Sequence, residues 1–187
     1  MIVMRYPESH KAEVRERIVR AAATALRRDG LSGVSIPALM KRAGLTHGGF
    51  YGYFRDRDAL VAEAVMSAAS DTSNGAFADA LPLAETLRRY LSEGHVAHPE
   101  EGCVVAALGS EGAHQPAPIR RAFAEVARGL LGLVEKKLHP ERPARALSED
   151  ALRLAATMVG AVVLARLVDD EALANRILKA ARHAPAA

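Results

Sequence analysis

Two groups of residues in this 187-residue chain have types and spacing that could do chemistry. The first is Cys103, with His95, His98, Glu111 and His114 nearby in sequence. A thiol beside an imidazole can serve as nucleophile and base, and with a carboxylate the set could hold a zinc ion. His95 and His98 stand three apart at the end of a helical pattern with no catalytic motif around them, so their spacing is diagnostic of neither. The second group is the run Thr46-His47-Gly48-Gly49-Phe50-Tyr51-Gly52-Tyr53-Phe54. The chain has four Tyr, four Phe and no Trp, and half of these rings fall between positions 50 and 54. Phe50 and Phe54, four apart, read as core, which leaves Tyr51 and Tyr53 on other faces with their hydroxyls available. Gly48 and Gly49 suit a surface where backbone must approach phosphates and base edges closely.

The elements that position these residues read as helices throughout. From about His10 to Asp29 the apolar residues Val14, Ile18, Ala21, Ala22, Ala25 and Leu26 recur at three- and four-residue steps, with Arg15, Glu16, Arg20, Arg27 and Arg28 between them. Gly30 supplies the stop. Ser35 is an N-cap before Ile36-Pro37 and starts a short helix that ends near Ala43-Gly44. Thr46 is the cap of a second short helix running to about Tyr53, and Asp56 caps a longer one ending around 70–75. Five further helices are expected at about 82–97, 103–111, 118–138, 149–167 and 170–182, the fourth capped by Ser148. No alternating strand pattern appears. The fold class is all-α, with an N-terminal arm and helix-turn-helix in residues 1–56, a connecting helix in 57–75 and a larger helical domain in 76–187.

Composition and charge narrow the function. Half of the residues are hydrophobic and a quarter charged, which argues against disorder. No apolar run approaches the roughly 20 residues of a membrane span, the N-terminus lacks the order of a signal peptide, and a cytoplasmic location is expected. A single cysteine excludes internal disulfides and cysteine-rich zinc sites. The net charge is +3, but residues 1–60 carry +5 and the remainder −2. That asymmetry fits a chain whose first third meets a polyanion.

The pair of short helices spanning Ser35 to Phe54, joined by a glycine-containing turn, is a helix-turn-helix pattern. With the Gly30 stop, Ala43-Gly44-Leu45-Thr46, Phe50-Tyr51-x-Tyr53-Phe54 and Arg57-Asp58-x-Leu60, the segment from Ile18 to about Val65 resembles the DNA-binding domain of the tetracycline-repressor (TetR) family. Met40, Gly52, Tyr53 and Arg57 stand where members often carry Ala, a larger residue, His or Tyr, and Lys. The resemblance implies a ligand-responsive homodimeric repressor that binds double-stranded DNA at a pseudo-palindromic operator. By the same resemblance Thr46 would bond a phosphate and cap its own helix, and His47 and Gly48 would lie at the major-groove edge with Gly49. Tyr51 and Tyr53 would touch phosphate or thymine methyls, Arg57 would pair with phosphate, and Ser35 and Lys41 belong to the same DNA-binding set.

The resemblance also implies a small-molecule effector, of unknown identity, in the C-terminal domain. Leu87, Tyr90 and His98 share one helical face there, and Cys103, Ala107, Phe123 and Met158 lie on segments that could enclose the same space, with Tyr90, His98 and Cys103 as polar handles. Small and apolar residues on the last two helices, Ala155, Ala156, Gly160, Leu164, Leu173 and Ile177, are expected to form a two-fold four-helix seam. No catalytic residue, metal or cofactor is expected, and no membrane contact. The alternatives are an architectural DNA binder without effector and a Cys/His metal or redox sensor or enzyme.

Overall fold

The computed structural model describes residues 8–33, 35–142 and 147–182; residues 1–7, where the expected N-terminal arm begins, lie outside them. Among the described residues there are nine α-helices and no strand, as the helical periodicity requires. Helix α1 spans Glu8–Asp29. Its buried stripe of Val14, Ile18, Ala22, Ala25 and Leu26 is the expected one, except that Ala21 is only half-buried. The stripe is broadened by Val19 and Ala23, and it ends on a residue expected on the polar side, Arg27, which is 5% exposed. At Gly30 the chain turns through φ +80, where only glycine is at ease. The freed Leu31 N–H donates to the Glu111 carboxylate at 2.9 Å.

Helix α2, Ile36–Arg42, begins as expected: the Ser35 hydroxyl accepts from the Ala38 N–H and proline sits in the first turn. The following segment, His47–Gly52, is a 3-10 helix rather than the expected α-helix. Glycine makes up half of its six residues, which weakens the α form. The Thr46 side chain does not cap it, so that part of its expected role is corrected. Helix α3, Arg57–Asn74, starts where Asp56 accepts the Ala59 N–H at 2.8 Å.

The helix expected over 82–97 is two helices, α4 at Leu83–Tyr90 and α5 at Glu93–Ala97. Side chains, one local and one distant in sequence, take the carbonyls that a continuous helix would use. His95 bonds the Tyr90 carbonyl at 2.6 Å, Arg182 bonds that of Leu91 at 2.9 Å, and Ser92 caps the restart. Helices α6 at Val104–Gly112, α7 at Ala117–Leu138, α8 at Glu149–Leu167 and α9 at Glu171–Arg182 lie close to their expected limits. The α7–α8 connection is tied down by buried Glu135, whose carboxylate accepts from the Ser148 backbone and hydroxyl.

Two cores result. The first joins α1, α2, the 3-10 segment and α3 to Val104, Leu108, Ile119, Ala122, Phe123 and Val126, so the N-terminal head shares its interior with α6 and α7. The second fills the space among α4, α6, α7, α8 and α9. None of the helices among the described residues is long and apolar enough to cross a membrane.

Candidate nucleic-acid interface and adjoining cavity

The 3-10 segment is held from beneath by its own phenylalanines. Phe50 is fully buried, stacks on Phe54 at 5.6 Å between ring centroids, and sits in the core with Met40. Arg15 clamps this unit to α1: its guanidinium lies 4.7 Å from the Phe54 ring centre, donates to the Tyr53 carbonyl and pairs with Glu63 on α3. A cation over an aromatic face adds about 0.5–1 kcal/mol where partly exposed. The outward face is consequently fixed without itself being packed.

That outward face carries most of the expected DNA residues. Ser35, Lys41, Thr46, His47 and Gly48 are exposed, and Tyr51 is 66% exposed, an uncommon exposure for so large an apolar side chain. A Cβ built on Gly48 or Gly52 would meet nothing within 4 Å, and neither has a positive φ. Gly49 is half-buried, with the Met40 methyl 3.8 Å from where its Cβ would be. Tyr53 is half-buried and belongs to the edge of the core. Arg57 already donates to the Leu31 carbonyl, tying the start of α3 to the α1–α2 turn, so its guanidinium has a partner inside the chain.

Behind the head lies a cavity of about 300 Å³ bounded by the end of α3, α4, α5 and the start of α6, into which Tyr90, His95, His98 and Cys103 face. A second, more apolar cavity of about 330 Å³ lies between α3, α6 and α7, and both are lined by Thr72 and Cys103. Of the residues expected around one effector, Tyr90, His98 and Cys103 are brought together. Ala107 and Phe123 instead line a separate groove against α8, while Leu87 and Met158 pack in or on the second core.

His95 is fixed in one tautomer. Its Nδ1–H donates to the Tyr90 carbonyl at 2.6 Å, and its Nε2 accepts the Cys103 N–H at 2.9 Å. Burial, with Arg166 adding to it, lowers its pKa to about 4 against the pull of the Tyr90 carbonyl. Both ring nitrogens are therefore committed to backbone, and the ring does not act as a base on the Cys103 thiol. No group of three or more potential metal ligands occurs among the described residues.

The Gly102–Cys103 peptide group is gripped from both sides. While its N–H goes to His95, its C=O accepts from Arg27 at 2.9 Å, and Arg27 also pairs with Asp71 at 2.9 Å and with the Ala23 carbonyl. Each of the three nitrogens of this buried guanidinium has a partner, and removing one would be costly. Arg15, Arg27 and Glu111 are the positioning residues that periodicity alone missed. For Arg27 a signal existed, because Val19 and Ala23 extend the apolar stripe by steps of four onto position 27.

On the far side of the second core, α8 and α9 leave apolar side chains in water. Leu164 is 54% and Leu167 75% exposed, and Leu173 and Ala156 are exposed beside half-buried Gly160 and Ile177. Ala155 differs from the rest of the expected seam: it is buried in the chain's own core and cannot reach a second copy.

Residues 18–64 match the family model of bacterial regulatory proteins, tetR family. Solved structures share the fold at low identity. A TetR-family regulator from Cytophaga hutchinsonii is 20% identical with a TM-score of 0.71, covering 92% of this chain and 93% of that one. A TetR regulator from Chloroflexus aurantiacus J-10-FL is 24% identical with a TM-score of 0.69, covering 93% and 94%. The reduced form of Escherichia coli NemR is 20% identical with a TM-score of 0.69, covering 91% and 93%. No match was found among curated proteins.

Proposed function

We propose that this chain, whose residues 18–64 match the tetR-family model, is a TetR-family transcriptional regulator that represses transcription as a homodimer on a pseudo-palindromic operator. A small molecule in the cavity between α3, α4, α5 and α6 releases it. The DNA-facing residues are Ser35, Lys41, Thr46, His47, Gly48, Gly49 and Tyr51, with Tyr53 at the edge and Arg57 at the start of α3. Phosphate contacts by the hydroxyl and lysine side chains set register, while His47 and Tyr51 meet the major groove. The exposed leucines of α8 and α9 pair across the two-fold axis, which sets two heads on half-sites roughly 34–36 Å or somewhat more apart.

The observation that carries the ligand-responsive part is the doubly held Gly102–Cys103 peptide group. One side of it faces the cavity through His95 and the other reaches α1 through Arg27. A ligand that repositions this peptide moves a direct anchor of the reading head, and its differential affinity for the two arrangements sets the largest shift it can cause.

Selection of bound DNA from a random pool at fixed salt, with sedimentation of the protein at micromolar concentration, tests this reading. The expected result is one pseudo-palindrome and a dimer mass. Many unrelated sequences bound with a small preference would instead indicate an architectural DNA binder. A concentration-independent monomer mass would remove the two-fold arrangement.

A further inference from the structure

The 3-10 segment His47–Gly52 has little rigidity of its own. Helices of that type have poorer hydrogen-bond geometry, half of these residues are glycine, and the Thr46 side chain does not cap the start. What aims the exposed face must therefore come from outside the segment. The support that reaches furthest into it is one side chain of α1, Arg15.

A line of ring contacts runs from Arg15 to the outer face. The guanidinium carbon lies 4.7 Å from the Phe54 ring centre, Phe54 stacks on Phe50 at 5.6 Å, and Phe50 meets Tyr51 edge to face at 5.2 Å. Phe50 and Phe54 are buried and have no room to reorient independently. A shift of Phe54 thus moves Phe50, and with it the ring on which the 66% exposed Tyr51 rests. The same guanidinium closes the exit of the segment, its Nε donating to the Tyr53 carbonyl at 3.4 Å while Nη2 pairs with Glu63 on α3.

This arrangement contributes direction more than stability. The Arg15 and Glu63 side chains are 40% and 39% exposed, and an ion pair so open to water adds little to folding. A guanidinium is a planar fork that can bond at Nε, bond at Nη2 and lay its face on a ring at the same time. An ammonium is a point charge and must choose among the three. Glu63 also neutralises the Arg15 charge, which leaves it little attraction for a phosphate.

We propose that Arg15 is a specificity-determining positioning residue, which sets where Tyr51 and its neighbours meet base edges without touching DNA itself. This rests on the reading of the 47–52 face as the DNA-reading surface. Arg15 then governs affinity for the operator and leaves the sequence-independent attraction to phosphates as it is, since the two draw on different contacts.

Arg15→Lys in the full-length protein separates the two, because it keeps the charge and removes the fork. Binding is measured at one fixed salt concentration to the operator selected from the random pool and to an unrelated duplex of the same length. Operator affinity is expected to fall about tenfold, the worth of one base contact, with affinity for the unrelated duplex unchanged and the fold intact. In the free variant the amide NMR signals of Gly48, Gly49 and Gly52 shift, because the segment has moved before any DNA is present. Should Arg15→Lys fail to fold, Glu63→Gln provides the check. It makes the chain more positive by one charge, yet operator affinity falls about threefold while binding to the unrelated duplex holds or rises. Unchanged operator affinity in the folded variant, an equal fall on both duplexes, or unmoved glycine signals overturns the proposal. An unaltered protein that binds both duplexes alike removes the DNA-reading assignment of the face and the proposal with it, whereas specific binding indifferent to Arg15→Lys removes the proposal alone.

Discussion

A Cβ placed on Gly102, at the cavity wall, would lie 2.3 Å from the His95 ring, whereas one placed on Gly48 or Gly52, on the outer face of the head, would touch nothing within 4 Å. At Gly102 the fold itself requires glycine, because the backbone must come close to the imidazole edge for the Cys103 N–H to reach Nε2. At Gly48 and Gly52 neither packing nor backbone angle requires it, and glycine there weakens a short helix. In the proposed reading, glycine at the head serves a DNA surface that the backbone must approach closely. Gly102 is thus constrained from within the fold, and Gly48 and Gly52 are not. Substitutions in the two regions should separate stability from DNA affinity accordingly.

The largest effect is expected from acid at the constrained end. His95 has a folded pKa of about 4 against an ordinary 6.5, so the unfolded chain binds the extra proton first. Its contribution is complete above about pH 6.5 and is lost as pH falls toward 4, about 3 kcal/mol in all. Urea unfolding between pH 7 and pH 4 measures it, and His95→Gln should flatten that part of the profile. A profile identical in the variant would mean that other groups carry the acid sensitivity.

Next in size is Gly102→Ala. The added methyl forces the His95 ring away and disturbs its bonds to both Cys103 and Tyr90, with about 2 kcal/mol of destabilisation expected from overpacking. Denaturant midpoints at constant m-value check it. A neutral outcome would show that the His95 contact yields readily and is no rigid element.

Arg27→Met follows. It keeps the apolar stem but leaves the Gly102 carbonyl without its guanidinium partner and Asp71 in water, with about 1–2 kcal/mol of stability lost. Operator binding is expected to persist while response to a cavity ligand falls, since the link between the two regions is cut. If the variant retains full ligand response, coupling runs through other contacts such as Glu111 with the Leu31 amide.

These regions were not equally legible in the sequence. The head is local: caps at Ser35 and Asp56, the stop at Gly30 and the Phe50/Phe54 spacing all act within a few residues, and their structural positions match expectation. Its exceptions are Thr46, which makes no capping bond, and the 3-10 form of 47–52, where glycines leave the choice of helix type to the phenylalanines packing below. The cavity is assembled from two stretches, 71–76 and 89–103, folded onto each other through breaks that no helical period shows, so only its scarce polar residues, Tyr90, His98 and Cys103, could be picked out. The break between α4 and α5 depends on His95 and on Arg182, the latter 91 positions from the carbonyl it takes, and no local pattern contains that information. Ala155 was grouped with its exposed neighbours because α8 is apolar nearly all round, which hides which side faces the core.

The most direct test of the central claim, that the face formed by residues 47–52 reads DNA, is the affinity of Gly48→Ala and Gly48→Leu for the selected operator at one fixed salt concentration. Both variants are expected to keep the unfolding midpoint of the unaltered chain, because the position opens to solvent. Operator binding should weaken by about tenfold for Ala, corresponding to ~1.4 kcal/mol, and further for Leu. Unchanged operator affinity in both variants, with the fold intact, would contradict the assignment of this face to DNA.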